Sequence, residues 1–189
     1  MAGRILVLYG SYRTDRQGIR LAQYLVDALT ELGSDVELID AKAIDLPMLD
    51  RMYKEYPTGN APAVLEELAV KIRAADAFVF VTGEYNWGIQ PGLKNLTDHF
   101  LEEWFWRPAA IASYSAGRMA GARAALAWHG TLSEMGMVVI GRRRAQGGHG
   151  TGADVAAKAG GWGVRAAEAA AAPRGRRRLA WSASAADRP

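Results

Sequence analysis

A doubly wound α/β domain built on a parallel sheet is the fold this sequence predicts, on three observations. Short apolar runs alternate with longer stretches of helical periodicity over residues 1–140. Each run is apolar throughout, as in strands covered on both faces. Glycine and proline mark the joints between the two kinds of segment.

Arg4-Ile5-Leu6-Val7-Leu8-Tyr9 is the first such run. A polar loop follows from Gly10 to Asp15, and then Ile19, Ala22, Leu25, Val26, Leu29 and Leu32 recur at helical spacing. Gly33 stands where a C-capping glycine belongs. Val36 to Ile39 is a second strand, and Ala63 to Ala75 a helix with Pro62 at its start. Ala77 to Val81 is the third strand; Pro91 to Phe100 is a helix again opened by proline. Ala109 to Tyr114 is the fourth strand, Gly121 to Glu134 the next helix, and Met137 to Ile140 the beginning of a fifth strand. Strands joined by helices imply right-handed crossovers and parallel pairing. Five strands in this rhythm predict the flavodoxin-like order 2-1-3-4-5. The first loop holds no GxGxxG, which argues against a standard NAD-binding unit.

After Ile140 the character changes. Residues 141–189 hold fifteen Ala, nine Gly and nine Arg, and only Val155, Val164 and Leu179 as branched aliphatics. So little apolar surface does not offset the entropy of ordering, and the sequence predicts disorder there. Two origins stay open: a natural basic low-complexity tail, or a reading-frame shift near codon 141. The tail carries a net charge of +7 and residues 1–140 carry −4, so the overall +3 is no sign of a nucleic-acid partner. No apolar run approaches the roughly 20 residues that span a bilayer, and Met1 to Arg4 shows no signal-peptide design. Cysteine is absent from the sequence, which excludes disulfides, thiol nucleophiles and cysteine-held metal. These features fit a cytoplasmic protein.

The most informative stretch is Gly83-Glu84-Tyr85-Asn86-Trp87-Gly88-Ile89-Gln90-Pro91-Gly92-Leu93-Lys94-Asn95. Strand, glycine-bearing loop and helix in that order make the turn where open parallel sheets bind ligands. Its Glu-Tyr-Asn, followed by Pro-Gly and Leu-Lys-Asn, resembles the flavin-ring loop of the NADPH-dependent FMN reductases. The resemblance covers about residues 4–140; it implies a complete fifth strand and a last helix, and the sequence after Ile140 predicts neither. It implies that Glu84, Tyr85, Asn86 and Trp87 run beside the isoalloxazine ring, with Gly88 allowing close approach. The alternative for Tyr85 and Trp87 is surface packing or a subunit interface. Asn95 is read as bracing the loop and Lys94 as solvated.

Gly10 to Ile19 brings hydroxyls, an amide, free N–H groups and two arginines to a helix N-terminus, where the dipole and unpaired donors favour an anion. Arg13 and Arg16 are placed to add charge-assisted bonds to a phosphate. The bland alternative is a polar loop whose Thr14 or Asp15 caps the helix. Gly-Ser-x-Arg is similar to the phosphate loop of the same family, which implies FMN phosphate contacts from Ser11, Arg13, Arg16, Gln17, Gly18 and Ile19. Ser113 to Gly121 resembles the family's third flavin loop and puts Ser115 and Gly117 near the polar edge of the ring. All three loops fall at the carboxyl ends of strands, on one edge of the sheet.

The remaining candidates carry less. His99, His129 and His149 stand apart, so no metal site is read; no GxSxG elbow marks a hydrolase. Phe100 to Trp106 is read as core or dimer contact. The implied activity is two-electron transfer from NADPH or NADH through bound FMN to a small acceptor such as a flavin, quinone or azo compound. The cofactor supplies the chemistry, so no side chain is assigned as acid, base or nucleophile. The resemblance also implies a homodimer or homotetramer. The alternatives are a non-enzymatic FMN carrier of the flavodoxin type, whose surface is more acidic than −4, and an inactive apo form caused by the altered C-terminus.

Overall fold

Five parallel strands run through the middle of the molecule: β1 (Arg4–Tyr9), β2 (Asp35–Asp40), β3 (Ala77–Gly83), β4 (Pro108–Tyr114) and β5 (Val138–Val139). Their order is β2-β1-β3-β4-β5, as the sequence rhythm predicts. The computed structural model describes residues 3–140. The Ala/Gly/Arg-rich tail, with His149 and any final helix, lies outside the described residues. Five helices connect the strands: α1 (Ile19–Glu31), α2 (Ala41–Ile44), α3 (Ala63–Ala74), α4 (Pro91–Asp98) and α5 (Ala122–Glu134). None of the described helices is long and apolar enough to cross a membrane.

Side chains alternate across each strand, so the apolar runs feed two cores. Ile5, Val7 and Tyr9 of β1 and Ala77, Val79 and Val81 of β3 meet Leu21, Ala22, Leu25 and Leu29 of α1 on one face. Leu6, Leu8, Phe78 and Phe80 meet α3, α4 and α5 on the other. Among the described residues α1 is the helix that packs on the first face, and Ala112 and Ile140 there stay half-buried.

The second core is aromatic. Phe78 meets Trp104 edge-on, with ring centres 4.9 Å apart. Trp104 Nε1 donates to the carbonyls of Thr97 and Phe100, and Trp128 Nε1 to the Thr82 hydroxyl at 2.9 Å. Burying indole is favourable only when its N–H finds such an acceptor. The aromatic stretch therefore divides: Phe100 and Trp104 are core, whereas Trp106 is exposed.

Helix ends follow local chemistry. Gly33, at φ +85°, closes α1, with its N–H on Thr30 O and that of Ser34 on Leu29 O. The sequence reading extends the Pro91 helix to Phe100. The structure ends it at Asp98, because Phe100 N bonds Thr97 O and the chain tightens there. The short α2 was not anticipated. Asp40 caps it by accepting from Lys42 N, and Asp45, at φ +53°, ends it one turn later.

Trp128→Ala removes the largest side chain that α5 lays on the sheet and leaves Thr82 without its donor. The expected loss is about 3–5 kcal/mol of unfolding free energy. Urea unfolding followed by circular dichroism measures it.

Candidate functional site

The register β1 Tyr9↔β3 Val81 and β3 Gly83↔β4 Tyr114 levels the carboxyl ends of three strands. It brings together the first loop (residues 10–18), the ring loop (84–90) and the third loop (115–121). Tyr114 stands where they meet. A Cβ on Gly18 would come 2.1 Å from its ring and one on Gly83 2.9 Å. A Cβ on Gly121 would come 2.8 Å from its backbone. Gly18 of the first loop, Gly121 of the third and Gly83, which leads into the ring loop, thus meet Tyr114 where a side chain would clash. The phenol accepts from Gln90 Nε2 at 2.8 Å and donates to Tyr9 OH at 3.4 Å. Burial pushes its pKa far above the ordinary tyrosine range, so it stays neutral.

The first loop has the makings of an anion cradle. Gly18 occupies the N-cap of α1 with no side-chain bond, so neither Thr14 nor Asp15 caps the helix. Among the described residues, the backbone N–H groups of residues 13–17 donate to no acceptor. Unpaired donors at a helix start, with the dipole behind them, suit a phosphate. Arg13 is exposed. Arg16 is committed elsewhere: Nη1 lies 2.6 Å from Asp40, and that contact holds the guanidinium charged. Gln17 bonds Asp15, and Ile19 begins α1. The Ser11 side chain is buried, and its hydroxyl lies 3.2 Å from Tyr85 OH, tying this loop to the ring loop. Gly10 and Gly92 allow the close approach of the first loop to α4, since a Cβ on Gly92 would come 2.5 Å from Gly10 O.

The ring loop turns tightly. Tyr85 N donates to Gly88 O and Gly88 N to Tyr85 O, so Asn86 and Trp87 make a two-residue turn. Both take positive φ, +47° and +75°. Asn tolerates that region; Trp there is strained, and the strain persists because neighbours over-determine it. The Arg123 guanidinium lies 4.4 Å from the centre of the Trp87 ring. Glu84 turns toward α5 and pairs with the Arg123 guanidinium, while its other oxygen accepts from Arg123 N at 3.2 Å. The hydrogen bond from the Arg123 guanidinium holds this carboxylate below its usual range. Glu84 thus anchors the start of α5, and Tyr85, Asn86, Trp87 and Gly88 form the turn itself. Trp87 is 69% exposed, and nothing but Tyr85 O lies near a Cβ built on Gly88.

In the third loop Ser115 Oγ accepts from Gly121 N and donates to Gly117 O. The Ser115 hydroxyl therefore braces its own loop. Gly117 is open, with its nearest neighbour 3.9 Å away.

Four residues of this arrangement escape the sequence reading: Tyr9, Gln90, Tyr114 and Arg123. Tyr114 closes a strand and borders a glycine-rich loop, the one local signal that could have marked it. Asn95 does brace a loop, though it is the segment at Pro47 and Leu49, and Lys94 pairs with Asp98. His99 is buried with Nδ1 beside Asn95 O, and His129 is exposed.

The donor set fits FMN: unpaired N–H groups and exposed Arg13 for the phosphate, an aromatic turn open at Gly88 for a flat ring, and buried polar atoms of Gln90 between them. Two substitutions test the geometry. At φ +75° Trp87→Gly relieves strain that Trp87→Ala retains, so the Gly variant melts higher than the Ala variant, by a stability difference of about 1–2 kcal/mol. Glu84→Gln lowers the melting temperature at pH 7. A depressed carboxylate pKa contributes stability above the unfolded value, roughly 4.3, and loses it as pH falls through the folded value. The gap between Glu84→Gln and the parent chain therefore closes on acidification, as a thermal-melt series from pH 7 to pH 3 measures.

A family model described as NADPH-dependent FMN reductase matches residues 3–151. An NAD(P)H-dependent FMN reductase of Pseudomonas aeruginosa is 36% identical over 127 residues, 64% of each chain. One from Schizosaccharomyces pombe is 34% identical over 116 residues, 59% of this chain and 57% of the relative. A quinone reductase of Escherichia coli is 32% identical over 124 residues, 64% of each chain. The match spans about 57 to 64% of the length of these relatives. Among solved structures, a flavoenzyme NAD(P)H:(acceptor) oxidoreductase of Paracoccus denitrificans superposes with a TM-score of 0.63 at 20% identity, covering 89% of this chain and 99% of its own. A Pseudomonas aeruginosa flavodoxin superposes at 0.60 and 17% identity, covering 88% and 98%. Sequence motif, strand order, loop placement and family match converge: the chain belongs to the NADPH-dependent FMN reductase family.

Proposed function

We propose that this chain holds FMN across its three loops and passes two electrons from NADPH or NADH to a small acceptor, a flavin, quinone or azo compound. The observation that carries this is the meeting of an unpaired N–H cradle at the start of α1 with an aromatic turn on the same sheet edge. When bound, the flavin supplies the redox chemistry. The protein's part is binding and orientation. The first loop would hold the phosphate through the amides of residues 13–17 and the Arg13 guanidinium. Ser11 would keep that loop in step with Tyr85. The Asn86–Trp87 turn would set the plane of the ring, and open Gly88 and Gly117 would admit it without clash. Exposed Trp87 and Trp106 support assembly into a homodimer or homotetramer, because aromatic surface is enriched at subunit contacts. A carrier that only stores electrons is the second reading, and the charge of −4 over residues 1–140 does not favour it.

Two measurements test the proposal. The purified chain, supplied with FMN, takes up a flavin absorbance spectrum that NADPH bleaches rapidly without air. A spectrum that bleaches slowly or not at all leaves the carrier, and a protein that takes up no FMN contradicts both readings. Arg13→Ala weakens FMN binding about 10-fold or more, as expected of a charge-assisted bond, and leaves riboflavin, which lacks the phosphate, unaffected. Titration by quenching of flavin fluorescence reads both affinities.

A further inference from the structure

Gln90 stands at the N-terminal flank of α4, where a side chain ordinarily caps the helix, yet it makes no such bond. Its amide turns beneath the ring loop instead. Nε2 donates to Tyr114 OH at 2.8 Å and is the nearest atom to a Cβ built on Gly83, the residue before that loop. Tyr114 in turn reaches Gly18 of the first loop. The amide thus sits where two of the candidate loops meet. Gln90 is 1% exposed, and among the described residues its Oε1 has no hydrogen-bond partner. Turning the amide over would let Tyr114 donate to the oxygen and would leave Nε2 unpaired, so one polar atom stays unanswered either way.

A buried amide with an unanswered oxygen is destabilising, and an apolar side chain of similar shape would fill the same space without that penalty. Packing alone therefore gives no reason for glutamine here. Native proteins answer such atoms with water or ligand. We propose that Gln90 is a ligand-contacting specificity residue: its Oε1 accepts a hydrogen bond from a donor on the bound flavin, with Tyr114 and Tyr9 fixing the plane of the amide from below. This rests on the FMN reading above. A flavin offers two donors of this chemistry, the imide N–H of its ring and the hydroxyls of its ribityl chain.

The test compares Gln90→Leu and Gln90→Met with the unaltered full chain, first for melting temperature without ligand, then for FMN affinity by fluorescence quenching. Both variants melt at or above the parent without ligand and bind FMN about 10-fold more weakly. Lumiflavin, which keeps the ring imide and lacks the ribityl chain, identifies the donor. An equal loss with lumiflavin assigns the ring N–H; a loss confined to FMN and riboflavin assigns a ribityl hydroxyl. Parental FMN affinity in both variants overturns the inference, as does a fall in ligand-free melting temperature that accompanies the weaker binding. Failure of the unaltered chain to bind any flavin sinks the FMN reading itself, a separate outcome.

Discussion

The site depends on the packing of one side chain. Tyr114 ends β4 opposite Gly83, and its bulk lies within clash distance of a Cβ at Gly18, Gly83 or Gly121. Two of the three loops are thereby set at fixed distances from its ring, and the third from its backbone. Close-packed contacts of this kind do not deform continuously, so a shift of one loop is felt by the others. The phenol is neutral and bonded on two sides, to Gln90 and Tyr9, which holds the ring in place without burying a charge.

Charge is arranged around that hub so that each side of the site has one task. Asp40 both caps α2 and pairs with Arg16, while Arg13 faces solvent. Glu84 accepts from the first turn of α5 and holds Arg123 against Trp87. A carboxylate at a helix start is favoured by the dipole, and here it also restrains the turn that carries the strained Trp87. The first loop is left with unpaired donors and the ring loop with open aromatic surface. That contrast suits a ligand with an anion at one end and a flat ring at the other.

The sheet was legible in the sequence because strands covered on both faces are apolar at every position, and because Gly33 and Pro91 punctuate helices for reasons local to them. The gathering of the three candidate loops was legible too, since parallel topology puts every βα loop on one edge. Individual roles were less so. Glu84 and Arg16 read as ligand contacts from their loops, but each has a partner from a distant element, α5 or β2, that no local pattern reveals. Tyr9, Gln90 and Tyr114 went unnoticed for the same reason: they are separated by up to 105 positions and meet only through the register of β1, β3 and β4. The short α2 escaped because Asp40 belongs at once to a strand and to a cap.

We propose that three loops form a single flavin site around Tyr114. Amide hydrogen exchange of the full chain, with and without FMN, tests it most directly. Residues 13–17, 84–88 and 115–121 are expected to slow together on adding FMN, over one concentration range. Slowing confined to residues 13–17, as a simple anion would cause, or no slowing in any of the three, would contradict it.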